Sequence, residues 1–139
     1  MSTDIGLQTT TFQVGDRRWL KSPHGTDYTP GVTLDVAKFV AGTHYPNGYI
    51  PSGTVVGIVT ASGKAGPYTT AGSDGTETAV GITFGDVTVV RQNGTSATAV
   101  GTGILVHGIV SVAKLPFQTG AGSVDAAGKA DLPLIRFEA

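Results

Sequence analysis

From Val32 onward the chain reads as short apolar runs cut at intervals by glycine, proline and asparagine. In "VTLDVAKFV", Val32, Leu34 and Val36 fall on one side and Thr33, Asp35 and Ala37 on the other. That period of two predicts a half-buried strand. "GTHYPNGYIPSG" breaks the pattern, and Asn47-Gly48 and Ser52-Gly53 supply turn chemistry, so a loop is expected there. "TVVGIVTA" and "AVGITFGDVTVV" are two further β-branched runs. "QNGT" at 92–95 predicts a two-residue hairpin, because Asn93-Gly94 tolerates the positive φ angles of a type I′ turn. "ATAVGTGILVHGIVSVAKL" is long enough for two strands, or for one bent at its glycines. Near the end, "GSVDAAGKADLP" is the one expected helix: Ser123 caps it, Ala126 and Ala127 favour it, and Pro133 stops its continuation. "PLIRF" closes the chain as a short strand, and no internal repeat interrupts this order.

Residues 1–31 obey a different rule. Ile5, Leu7, Phe12, Val14, Trp19 and Leu20 are widely spaced and share no period. A strand-like run, Thr10-Thr11-Phe12-Gln13-Val14, precedes the cluster Asp16-Arg17-Arg18-Trp19, and a turn-rich piece comes after it. Such a segment does not build a core of its own. The division expected is therefore an N-terminal arm over 1–31 and a β-rich domain over 32–139. The arm is either a loose tail or a segment that orders on a partner, with Phe12 and Trp19 as anchors.

Composition narrows the class. With 139 residues a single domain is the simplest reading, and 21 glycines among many Thr and Val residues point to a β protein rich in turns. There is no cysteine, which excludes disulfides and Cys-based zinc sites and fits, weakly, synthesis in cytoplasm. A net charge of −1 offers no electrostatic footprint for nucleic acid or an anionic membrane. The N-terminus lacks the apolar run of a signal peptide, and "GILVHGIVSVAKL" is too short to span a bilayer.

Candidate chemistry is sparse. "IPSGTVVGIVTASGKAGPY" (50–68) invites a phosphate-loop reading, but five residues separate Gly57 from Gly63 and Ala65 comes after Lys64. A phosphate loop needs four, then Ser or Thr, and a helix beyond them. The stretch reads instead as a strand, a Ser62-Gly63-Lys64 turn and an exit through "AGPY". "AGSDG" and "GAGSV" only approximate a nucleophile elbow. His24, Asp27 and His44 have metal donors without ligand spacing, and solvated loop histidines are expected. His107, inside an apolar run, is expected at a core or interface position with one ring nitrogen satisfied. No acid–base pair is nominated, and "NGT" at 93–95 is explained by the hairpin without glycosylation. Arg17-Arg18-Trp19 is the most distinctive polar cluster; with no other basic patch it points to protein recognition rather than base stacking.

Over residues 48–87 the order of turn signatures resembles the head decoration proteins of tailed bacteriophages, typified by the lambda protein. The matching pieces are Ile50-Pro51-Ser52-Gly53, Thr60-Ala61-Ser62-Gly63, Pro67-Tyr68, Asp74-Gly75 and Ala79-Val80-Gly81-Ile82. "ILVHGIVSVAKLP" and "AAGKADLPLIRF" are similar to that family's later strand region and its terminal helix and strand. The resemblance covers about 32–139, and the longer N-terminal arm is more similar to versions in phages of actinobacteria.

The resemblance implies a small compact domain, mainly β, with one short C-terminal helix and an extended N-terminal arm. It implies a homotrimer on the outer surface of an expanded capsid, at threefold and quasi-threefold positions, which stabilises the shell against packaged DNA. The expected partners are the major capsid protein and the chain itself, with no nucleic acid, membrane, cofactor, metal or enzymatic activity. The arm is expected to be mobile until it docks on the capsid protein and extends one of its sheets. Thr10, Thr11, Phe12, Gln13 and Val14 are the candidate augmenting strand, and Arg17, Arg18 and Trp19 the candidate anchoring contacts. The alternative is a carbohydrate-binding module on a virion surface, with exposed Tyr45, Tyr49 and Tyr68 stacking on sugars.

Overall fold

A computed structural model describes residues 17–91 and 94–139. Among the described residues nine strands carry the fold: β1 (Gly31–Asp35), β2 (Tyr49–Ile50), β3 (Val55–Ile58), β4 (Ala65–Pro67), β5 (Ala79–Thr83), β6 (Val87–Thr88), β7 (Ala99–Leu105), β8 (Gly108–Ser111) and β9 (Ile135–Glu138). The helices are short, α1 (Ala41–His44) and α2 (Ala126–Asp131), with 3₁₀ turns at Val36–Lys38 and Val112–Lys114. The domain is mainly β.

Five strands close into a barrel in the order β1-β4-β3-β5-β7. β7 closes it antiparallel to β1, from Gly31 opposite Gly103 to Asp35 opposite Ala99. Closure removes the open sheet edges that a flat five-stranded sheet would expose. β2 pairs with β6, and β8 runs parallel to β9, in two small sheets outside the barrel.

The barrel wall has apolar material on both faces. Val55 and Leu105 belong to one buried cluster with Trp19, Tyr68, Val110, Leu115, Leu132 and Ile135. Their chain neighbours Val56 and Ile104 belong to the other, with Leu34, Phe39, Ile50 and Val89. Successive strand residues point to opposite faces, so burial on both sides turns alternation into continuous apolar runs. That is why "TVVGIV" and "AVGIT" read as unbroken.

Several expectations need correction. Val36 is buried but begins a 3₁₀ turn, because the Asp35 carboxylate accepts from the Ala37 N–H and ends the strand. "AGP" is a strand, not an exit loop, paired antiparallel with β3 and parallel with β1. The loop before Tyr49 contains α1. The cap of α2 is Asp125, which accepts from the Gly128 N–H at 2.8 Å, while the Ser123 hydroxyl turns back to the Gly120 carbonyl. At the 92–95 turn, Arg91 N–H donates to Thr95 O and Gly94 N–H to Arg91 O, with Gly94 at φ 85°. Those bonds close the hairpin one residue longer than a two-residue turn, with the glycine in the left-handed place of a three-residue loop; Gln92 and Asn93 lie outside the described residues.

Other expectations hold. The run after Ala97 divides into β7 and β8, and "PLIRF" supplies β9. Ser62-Gly63-Lys64 does turn the chain, with Gly63 at φ 72° and Val59 N–H bonded to Lys64 O at 2.8 Å.

Candidate functional site

The best-built feature outside the barrel is the root of the N-terminal segment. Trp19 is 1% exposed, seated among Val55, Val110 and Leu115 of the first cluster. Its indole N–H donates to Ser52 Oγ at 3.2 Å, which satisfies the polar atom that burying a tryptophan strands. The seat depends on Gly53, at φ 94°: a Cβ there would lie 2.7 Å from Pro116 Cδ and 3.0 Å from the indole. Ser52 is fixed in turn, its N–H donating to Asp86 Oδ1 at 2.7 Å.

The backbone around Trp19 is bonded as firmly as its ring. Ser111 N–H donates to Trp19 O at 2.7 Å, and Lys21 N–H to Ile109 O at 3.0 Å. Leu20 bridges Val110 in the antiparallel sense. The root therefore lies along β8 through an antiparallel bridge. Lys21 Nζ reaches the Glu138 carboxylate at 3.0 Å, which ties the root to the last strand and holds the Glu138 pKa below its ordinary value.

Beside Trp19 opens a groove of about 540 Å³, with Arg18, Pro46, Tyr49 and Phe117 along it. His44 forms part of its wall and, against expectation, is buried at 2% exposure. Val40 N–H donates to His44 Nδ1 at 2.9 Å, and Nε2 meets the Ala121 carbonyl at 2.9 Å. An acceptor at Nδ1 requires the tautomer with its proton on Nε2. The ring sits edge-on between Phe39 and Phe117, at centroid separations of 5.5 and 5.2 Å. His44 thus clips α1, which has no side-chain cap, to the 117–122 loop.

Of the residues nominated from sequence, Thr10, Thr11, Phe12, Gln13 and Val14 lie outside the described residues. Arg17 is exposed, with its guanidinium 4.4 Å from the centre of the Phe84 ring. Arg18 is exposed at the groove, and Trp19 is buried beneath it. The structure brings Arg18 and Trp19 to one place and commits the indole to the chain's own core. Ser52 and Gly53 were legible in the sequence only as a turn and as part of the family pattern, and nothing there linked them, Ser111 or Pro116 to Trp19.

Among the described residues, no three His, Asp or Glu side chains gather to hold a metal ion. Tyr68 is 1% exposed, and its phenol donates to Asp125 Oδ1 at 2.7 Å. Burial first, and the Asp125 carboxylate second, push that phenol far above its ordinary pKa. Asp125 moves the opposite way, lowered chiefly by the Gly128 N–H and then by the Tyr68 hydroxyl. This pair pins α2 to the barrel. It also removes one of the three tyrosines invoked for sugar stacking, and Tyr45 and Tyr49 are half-buried. Among the described residues no helix is long and apolar enough to cross a membrane.

Residues 25–134 match the family model described as Bacteriophage lambda head decoration protein D. Searches of curated proteins and of solved structures found no match.

Proposed function

The chain belongs to the bacteriophage lambda head decoration protein D family, and from that premise we propose that it binds as a homotrimer at threefold and quasi-threefold sites of the expanded shell. Membership makes it a structural, capsid-decorating protein of the virion surface. In the proposed arrangement Thr10 to Val14 add a strand to an exposed sheet edge of the major capsid protein. Main-chain bonds supply affinity there and alternate side chains supply selectivity. Arg17 and Arg18 contact the capsid at the root, and Trp19 backs them from inside the domain.

The observation that carries this reading is the anchored root. An arm that grips a shell must be fastened to a rigid body, and Trp19 is locked to the barrel by its ring and to β8 by its backbone. A single arm binding at about 1 mM contributes about 4 kcal/mol. Three arms on one trimer act through effective concentration and bind far more tightly. Because the ligand prefers the expanded lattice, it shifts the shell toward that state and stabilises it by linkage.

Deleting residues 1–16 tests the arm while leaving Trp19 in place. The truncated protein should keep its fold and fail to saturate undecorated expanded capsids; undiminished binding would overturn the arm assignment. The trimer has its own test in light scattering, where a monomer mass at high concentration would refute it.

A further inference from the structure

His24, Asp27 and His44, donors without ligand spacing in the sequence, are not brought together, since His44 is committed to Val40 and Ala121. The fold instead joins His24 to a histidine from the far side of the sequence. His24 and His107 stand with ring centroids 4.9 Å apart and planes at 63°. We propose that these two imidazoles form a bidentate site for a borderline divalent transition ion, with Zn²⁺ as its representative.

The ring separation of 4.9 Å suits chelation as well as edge-to-face packing. A Zn–N bond of about 2.1 Å puts an imidazole centre about 3.2 Å from the ion. With one nitrogen of each ring turned to a shared ion, two rings 4.9 Å apart subtend about 100° there, near the tetrahedral value that zinc accepts. Imidazole is the donor type that suits zinc, copper and nickel. Neither ring makes a hydrogen bond to any described residue, so among these no partner has to be displaced from a ring nitrogen.

The two backbones are already pressed together. Gly25 is at φ 79°, and a Cβ there would lie 2.7 Å from His107 Nδ1; only glycine allows the approach. A Cβ on Gly108 would sit 3.3 Å from the His24 carbonyl. The His24 side is tied down by two bonds to the Pro23 carbonyl, from Thr26 N–H at 3.2 Å and Thr26 Oγ1 at 2.7 Å. The His107 side is held where Gly108 N–H donates to Leu134 O. His24 is exposed and His107 half-buried, so an ion can reach both. With no third His, Asp or Glu among the described residues joining them, water completes the coordination. The site is an exchangeable clip between the 21–30 loop and the β7–β8 turn, not a closed structural centre.

Calorimetric titration of the metal-stripped full-length protein with ZnCl₂ should give one Zn²⁺ per chain. His24→Gln and His107→Gln should each weaken binding by more than about tenfold. Absence of binding up to about millimolar zinc, or binding that both variants retain, would overturn the proposal. A second measurement guards against a variant that misfolds. In the unmodified protein, Zn²⁺ should shift the imidazole NMR signals of two of the three histidines and leave the buried His44 unmoved. Shifts in fewer than two, or in His44, would overturn it equally.

Discussion

Replacing Trp19 with alanine removes the largest fully buried side chain of the described residues. An indole buries about 150–250 Å², which at about 25 cal/mol per Å² is worth about 4–6 kcal/mol. Truncations of this kind cost about 3–5 kcal/mol, because the surroundings relax only in part. The lost bond to Ser52 Oγ adds about 1 kcal/mol. Against a total stability of about 10 kcal/mol for a domain of this size, Trp19→Ala should remove about 4. Trp19→Phe keeps much of the packing and should lose about 1–2. Arg17→Ala, which removes only an exposed guanidinium resting on Phe84, should lose less than about 1 kcal/mol.

Urea unfolding monitored by far-ultraviolet circular dichroism is the appropriate assay, since Trp19 is the chain's only tryptophan and its two replacements lose the fluorescence. With a slope of about 2 kcal/mol per molar urea, the alanine variant's midpoint should fall by about 2 M. The unmodified protein supplies an independent reading, because a buried indole emits at shorter wavelength than a solvated one and shifts to the red on unfolding. A midpoint change below about 0.5 M, or emission typical of water-exposed tryptophan in the folded protein, would refute the seat described for this ring.

The same geometry sets two further outcomes. Tyr68 has its folded pKa raised by burial and by Asp125, so the folded chain keeps a proton that the unfolded chain releases above about pH 10. Stability is therefore complete below that pH and falls as pH rises; Tyr68→Phe should flatten the alkaline limb of urea midpoints measured from about pH 8 to 11, and parallel curves would refute the link. Gly57 occupies the bulge between β3 and β5, where a Cβ would lie 2.6 Å from Thr78 O and 2.8 Å from Thr76 Cα, both backbone atoms. Gly57→Ala should cost about 1–3 kcal/mol in thermal unfolding, while Gly85→Ala, with open space around it, should stay within about 0.5; equal losses would refute the close approach.

The parts of the fold legible in the sequence are those whose burial is local and periodic. β1 shows as alternation, β3 and β5 as β-branched runs between turns, and β9 as the last apolar piece before the end. β4 escaped because Gly66 and Pro67 are poor strand residues; it is a strand because β1 and β3 close on it, with Gly66 fitted against Lys38 and Thr76. α1 escaped for a related reason. It has no capping side chain, and its support is the bond from His44 to Ala121, a residue that no local pattern could associate with it. The family resemblance named the decoration role from an order of turns, whereas the root of the arm was legible only as a conspicuous aromatic.

The structure reassigns the work of that aromatic. Arg17-Arg18-Trp19 read as one recognition cluster, yet its members divide: the arginines face outward and the indole faces the core. The partners that decide this, Ser52, Gly53, Ser111 and Pro116, come from separate stretches of the chain and meet only once the barrel has closed. In the proposed arrangement, where the segment before Arg17 grips the shell, that division has a mechanical consequence. Any pull on the residues before Arg17 reaches the Trp19–Lys21 segment first, where it runs along the direction of the chain. The bonds from Lys21 to Ile109 and from Ser111 to Trp19 lie across that direction and share the load. β8 passes the load to β9 through their parallel pairing, and the indole resists the same displacement by having to leave its seat between Gly53 and Ser52. An arm rooted by its arginines alone would peel one contact at a time; rooted at Trp19, it can be drawn out only by breaking the sheet and the core together.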